Sequence, residues 1–206
     1  KKMTAVHESA HALLHYYLKN ADPLHKVTVI PRGRALGLAL SLPENDAYSR
    51  SRGWLEDRIR IALGGFVAEK IVYNDTTTGT KNDIEQATEL ARRMVCEWGM
   101  SPDLGPVAYG QEEEPIFLGK EIARHKDYSE ETARKIDAAV TGIIREAQRN
   151  VEEILTTHLD QLLLLADTLV EKETLDDGEI RELLGFPPRG EGLASEVPEE
   201  EGRGEG

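Results

Sequence analysis

The sequence predicts a mainly α-helical fold that carries a small β-hairpin and ends in a C-terminal helical bundle. Three observations lead there. Apolar residues recur every three to four positions over six stretches of the chain. A clear period of two occurs once, at residues 36–42. Of the 206 residues, 39% are hydrophobic and 31% charged, a balance that suits a soluble, charged, helix-rich protein with enough chain for a buried core.

Residues 2–19 form the first predicted helix. Val6, Ala10, Leu13, Leu14 and Tyr17 keep the helical spacing, no Gly or Pro interrupts them, and Asn20-Ala21-Asp22-Pro23 ends the run. Two strands follow. Residues 25–30 are β-branched and apolar, and Pro31-Arg32-Gly33-Arg34 turns the chain. Leu36, Leu38, Leu40 and Leu42 then alternate with Gly37, Ala39 and Ser41. Residues 51–73 return to helical spacing through Leu55, Ile59, Leu63, Phe66 and Ile71. Gly64-Gly65 inside that helix costs about 1 kcal/mol per glycine, which a close backbone contact would justify and a kink would also explain. Residues 75–82 are a Thr-rich polar loop. Residues 84–98 are amphipathic, with Ile84, Ala87, Ala91, Met94 and Trp98 on one face. Thr80 followed by Asp83 resembles a capping box, which puts Asp83 in the first turn. Residues 99–128 are irregular, with a short strand expected at 107–109. Ser129 opens a long helix through Ile136, Val140, Ala147, Val151 and Ile154. Residues 159–170 continue as a second helix and 176–184 as a short one stopped by Gly185 and Pro187-Pro188. The acidic, Gly-rich tail over 187–206 reads as disordered.

Composition excludes several function classes. The formal net charge of −13 repels phosphates, so nucleic acid is not an expected partner. Cys96 is the single cysteine, which excludes a disulfide framework and any Cys-based zinc or iron–sulfur site. The longest strictly apolar run, residues 162–166, is far shorter than the roughly 18–20 residues that span a bilayer. The chain opens with Lys1-Lys2 directly into a helical pattern, which does not read as a signal peptide, and the expectation is a soluble fragment of a longer protein.

The sharpest motif is His7-Glu8-Ser9-Ala10-His11, an H-E-x-x-H sequence inside the first predicted helix. Residues four apart stand about 6 Å apart along the axis on one face, so two imidazoles can share a zinc ion. Glu8 can then reach water on the open coordination position, take its proton as a peptide carbonyl is attacked, and return it to the leaving amine. A catalytic zinc needs a third protein ligand. His15 continues the i+4 series but lies ~12 Å along the axis from His7, too far to share one ion. The longer H-E-x-x-H-x-x-G-x-x-H signature fails at Leu14 and Tyr17. His25, Glu69, Asp75, Asp83 and Glu85 remain candidates, and spacing alone does not choose among them.

With these residues in view, the chain resembles the peptidase domain of the FtsH family, the membrane-anchored ATP-dependent zinc proteases. The similar stretches are HESAHALLHYYL at 7–18, HKVTVIPRGRALGLALSLP at 25–43, ALGGFVAEKIV at 62–72, TTTGTKNDIEQATELARRMVCEWGMS at 76–101, LGPVAYG at 104–110 and SEETARKID at 129–137. The resemblance implies Zn2+ held by His7, His11 and Asp83, with Glu8 as general base. It implies a domain over 1–186, with a zinc-site part over about 1–128 and a helical part over about 129–186, the hairpin lying beside the site. It further implies polypeptide substrates that are unfolded or extracted from membranes, a homohexamer, and a bacterial inner-membrane protein with this domain on the cytoplasmic side. Phe66 departs from the family's usual Gly-Gly-Arg, which puts in doubt the contact made by that Arg but no metal ligand.

No G-x-x-x-x-G-K-[ST] loop occurs in these residues, so ATP would be needed only by a module outside this chain. The fragment is not expected to insert in a membrane by itself. Glu69 is expected to hydrogen-bond a ligand histidine, or else to be an ordinary helix acid. Asn82 would orient Asp83 or, more simply, cap its helix. The strand at 36–42 could accept an extended substrate as a further strand, or simply cover the core. The rival expectation to a peptidase is a non-catalytic helical oligomerisation module whose metal site is structural or vestigial.

Overall fold

Helix α1 (Lys2–Tyr17) packs chiefly on the second and fifth helices of the chain, with Ala5, Val6, Ala10, Ala12, Leu13 and Leu14 almost wholly buried. That follows from its composition: small and aliphatic residues occupy one face, so neighbours can approach closely. The structure is a computed structural model, and it describes residues 1–30, 49–110 and 127–189. After α1 come strand β1 (Lys26–Thr28), α2 (Arg52–Tyr73), a 3-10 turn at Thr78–Thr80, α3 (Lys81–Cys96), α4 (Glu130–Thr157), α5 (Leu159–Lys172), β2 (Thr174–Asp176) and α6 (Asp177–Leu184). The expectation of a mainly helical fold with a small sheet holds.

Two apolar cores share α2. One joins α1 to Ile61, Val67 and Ala68 of α2, to Val151 and Leu155 at the end of α4, and to Leu162, Leu165 and Leu169 of α5. Phe66 packs against this core. The other joins Leu55, Ile59 and Leu63 of α2 to Leu90, Ala91, Met94 and Val95 of α3 and to Ile136 and Val140 of α4. Each fully buried Leu or Ile contributes roughly 1.5–3 kcal/mol. A helix buried on two sides is thereby held rigidly, and α2 carries much of the wall of the site described below.

Helix ends follow local chemistry. Ser51 Oγ accepts from the Trp54 amide at the start of α2, and Ser129 Oγ from the Thr132 amide at the start of α4, as expected for 129. Asp176 and Glu179 form a reciprocal capping box on α6. The Thr80–Asp83 box expected on α3 does not form. Thr80 Oγ1 donates back to the Thr77 carbonyl (2.9 Å), and the Asp83 carboxylate turns towards two imidazoles instead. The face read for this helix is buried at Ala87, Ala91 and Met94, but Ile84 and Trp98 at its ends are exposed.

Among the described residues the sheet joins two strands that are distant in sequence. β1 pairs antiparallel with β2, Val27 opposite Leu175, and Leu175 is buried. The strand expected at 36–42 lies outside the described residues, as does the tail from 190. The strand expected at 107–109 does not form among the described residues. Gly105 and Gly110 bracket it with φ of +68° and +73°, and among the described residues one backbone bond, Tyr109 N–H to the Cys96 carbonyl, ties it to another element. One such bond does not make a ladder.

Candidate metal centre

The core-facing stripe of α1 leaves His7, Glu8, His11 and His15 along one side of a cleft of about 880 Å³. Asp83, from the first turn of α3, faces them across it. The loop before α3 is tied down by Thr77, whose Oγ1 accepts from the Gly79 amide and whose carbonyl accepts from Thr80. Local turn chemistry therefore fixes where Asp83 starts.

Each histidine has its ring set by an outer partner. His7 Nδ1 donates to Glu69 Oε1 at 2.8 Å, and His11 Nδ1 donates to the Ile61 carbonyl at 2.6 Å. Glu69 is almost fully buried, yet its charge is satisfied. Besides His7 it accepts from the Thr77 amide (2.7 Å) and the Thr77 hydroxyl (3.2 Å). Both Glu69 and Ile61 lie on α2, so one rigid helix orients both imidazoles.

With both Nδ1 protons committed outward, the neutral rings present Nε2 lone pairs to each other and to Asp83. His7 Nε2 is 3.0 Å from His11 Nε2 and 3.0 Å from Asp83 Oδ2, and His11 Nε2 is 3.2 Å from Asp83 Oδ2. Three electron-rich atoms at this separation repel one another unless a cation or proton lies among them. Tetrahedral ligands at ~2.0–2.1 Å from zinc stand ~3.3 Å apart, so this triangle is already close to that shape. Two imidazoles and one carboxylate, with a fourth side left open, are a donor set that suits a catalytic zinc rather than a closed structural one.

The electrostatics agree. Burial opposes charge on His7, but its bonds to Asp83 and Glu69 and the nearby charge of Glu8 outweigh that and raise its pKa to about 9. Burial likewise works against the Asp83 carboxylate, and the His11 and His7 imidazoles overcome it, holding the carboxyl well below the usual carboxylate range. Both directions have one cause, carboxylates set against imidazoles, and such surroundings favour a cation.

The remaining sequence candidates fall into place or fall away. Glu8 is half-buried on the cleft wall and makes no hydrogen bond among the described residues, so its carboxylate is available to water. His15 donates to the Asp22 carbonyl at 2.7 Å, and burial holds its imidazole below the ordinary histidine value. His25 is exposed at the cleft rim, Asp75 bonds the Thr76 amide, and Glu85 reaches Lys81 at the surface. Asn82 neither caps α3, whose N-cap is Thr80, nor bonds Asp83 among the described residues; it is exposed at the cleft. Sequence reasoning missed the Ile61 carbonyl and Thr77. The Thr-rich run was the one visible hint of Thr77; a backbone carbonyl has no signature in residue type.

Comparison with known proteins agrees with this geometry. The model of the peptidase family M41 matches residues 1–183. ATP-dependent zinc metalloprotease FtsH of Borreliella burgdorferi (strain ZS7) is 54% identical over 186 residues, covering 90% of this chain and 29% of that protein. Its namesake in Magnetococcus marinus is 50% identical over 91% of this chain and 28% of its own length, and that in Thermotoga maritima 46% over 89% and 30%. The chain therefore spans under a third of the length of these curated relatives. Two histidines, a glutamate and a distant aspartate brought to one cleft, within a match that runs almost the whole chain, leave one assignment: the chain belongs to peptidase family M41.

Proposed function

We propose that this chain is the proteolytic part of an FtsH-type zinc metalloendopeptidase, acting on polypeptides that are unfolded or extracted from membranes. The observation that carries the reading is the triangle of His7 Nε2, His11 Nε2 and Asp83 Oδ2, with Glu8, unpaired among the described residues, facing the same cleft. His7, His11 and Asp83 hold the metal, and Glu69 and the Ile61 carbonyl fix the two rings. Bound there, zinc supplies a Lewis acid that acidifies water and polarises a carbonyl. Glu8 accepts the proton of the attacking water and delivers it to the leaving amine nitrogen. In this reading the ATP dependence in the relatives' name resides in sequence beyond the matched region. The working unit is a homohexamer of membrane-anchored subunits with this part on the cytoplasmic side. No helix among the described residues is long and apolar enough to cross a membrane.

The test is hydrolysis of casein. It should stop with a chelator and return with zinc. Glu8→Gln should lower turnover by about 10²–10⁴-fold while bound zinc stays near one per chain. A zinc-loaded chain that never cleaves casein would favour the non-catalytic oligomerisation module; an active Glu8→Gln variant would remove the general-base role.

A further inference from the structure

The arginines of α2 are matched with acids, with one exception. Arg52 meets Glu56 at 2.7 Å, and Arg60 meets Asp57. Just before the helix, Arg50 lies over the Trp54 ring, 4.5 Å from its centroid. Arg58 forms no hydrogen bond and no ion pair among the described residues. Asp22, the acid whose charge it senses, is engaged elsewhere: its carboxylate accepts from Trp54 Nε1 at 3.2 Å and lies 4.0 Å from Arg50. Yet Arg58 is half-buried, and the surface it presents lines the cleft beside His15, Ile61 and Ala62. Burial draws its guanidinium pKa below the ordinary arginine value. It stands three residues, ~4.5 Å of helix rise, before Ile61, whose carbonyl holds His11.

We propose that Arg58 is a specificity-determining residue of the cleft that binds a carboxylate of the peptide substrate. The proposal rests on the peptidase reading above. A guanidinium has five N–H donors in a planar fork and no acceptor, a shape that matches a carboxylate through two parallel bonds. A partly desolvated fork without a partner among the described residues gains most from an anion arriving with the substrate, because the low local dielectric strengthens the pair. Among the described residues, Asp22, Arg50 and His15 are the titratable groups that act on or sense Arg58, and Asp22, the one anion of the three, bonds Trp54 and lies by Arg50 instead of pairing with Arg58. The carboxylate can come from two sources, an Asp or Glu side chain near the scissile bond or the free α-carboxylate at a chain end.

Three quenched-fluorescent peptides of equal length separate these. One is neutral and C-terminally amidated; one is amidated with a Glu scanned through the positions flanking the cleavage point; one is neutral with a free C-terminal carboxylate. The zinc-loaded chain should cleave one of the two acidic forms with kcat/KM about tenfold or more above the neutral form. Arg58→Met should erase that advantage, mainly through KM, and Arg58→Lys should restore part of it. The Glu arm identifies a side-chain carboxylate and the free-terminus arm a chain end. Equal rates on all three peptides in the parent chain, or loss by one common factor on all three in Arg58→Met, would overturn the proposal. Anisotropy of a labelled acidic peptide on the Glu8→Gln chain reads binding without turnover. Binding that disappears with Arg58→Met supports Arg58 even if no peptide is cleaved, which would count against the peptidase reading alone; binding unchanged by Arg58→Met overturns it.

Discussion

Gly65 lies against the imidazole of His7 so closely that a Cβ at position 65 would overlap Cε1, Nδ1 and Nε2 of the ring. The glycine that weakens the middle of α2 therefore makes room for the first histidine of the motif. Gly65→Ala should gain helix propensity, about 1 kcal/mol, while displacing His7 from Glu69 and Asp83. Zinc per chain, measured by atomic emission, should fall sharply with the helical circular-dichroism signal retained. Full zinc content in a folded Gly65→Ala chain would show that His7 has room to spare.

Glu69 serves His7 and the Thr77 loop at once. Glu69→Gln keeps an oxygen for His7 Nδ1 but turns an NH2 group towards the Thr77 amide, setting donor against donor. Zinc affinity should weaken by roughly 10–100-fold, read by competition with a chromophoric chelator. An affinity unchanged from the parent chain would reduce Glu69 to a helix acid.

Asp83 and Glu85 lie two residues apart but have different surroundings. Asp83 faces both imidazoles, whereas the Glu85 side chain is 64% exposed and reaches Lys81 at 3.7 Å. Asp83→Ala should leave the purified chain nearly free of zinc, and Glu85→Ala should leave its zinc content unchanged. The reverse pattern would move the third ligand to the wrong side of the helix.

Much of this was legible from residue order. Helical spacing located the six helices, because each buries an apolar stripe, and H-E-x-x-H on α1 located the cleft. The third ligand proposed here was not legible from spacing: Asp83 lies 76 residues from His7 and meets it through tertiary packing, so only the resemblance of the surrounding segment singled it out. Thr80 looked like half of a capping box, but its hydroxyl bonds the Thr77 carbonyl, a local competitor that the pattern does not reveal. β2 escaped because three residues after the left-handed Glu173 carry too little alternation to read as a strand. The Ile61 carbonyl escaped because any residue would supply it.

Asp57 ties the turn after α1 to α2. It is buried, accepts from the Asn20 amide at 2.9 Å and its side chain at 3.2 Å, and pairs with Arg60. Asp57→Ala strips all three donors of their acceptor in a partly buried setting. The chain should lose about 3 kcal/mol of unfolding free energy in urea, with zinc stoichiometry kept in the folded state. A change below about 0.5 kcal/mol would mean that water reaches Asn20 and Arg60 freely.

His15 gives the fold a dependence on pH. Burial favours its neutral form, and its pKa in the folded chain lies below the ordinary value of 6.5 that it regains on unfolding. The unfolded chain therefore binds the proton more readily. The stability contributed by His15 is fully present above pH 6.5 and is lost as pH falls from 6.5 through the depressed folded value. His15→Asn keeps a donor for the Asp22 carbonyl and removes the titration. Urea unfolding of the two zinc-loaded chains at several pH values between 8 and 5 should give parallel stabilities above about pH 7. Below 6.5 the parent should fall more steeply than the variant. Acid limbs of equal slope would show that His15 exchanges its proton as freely in the folded chain as in the unfolded one.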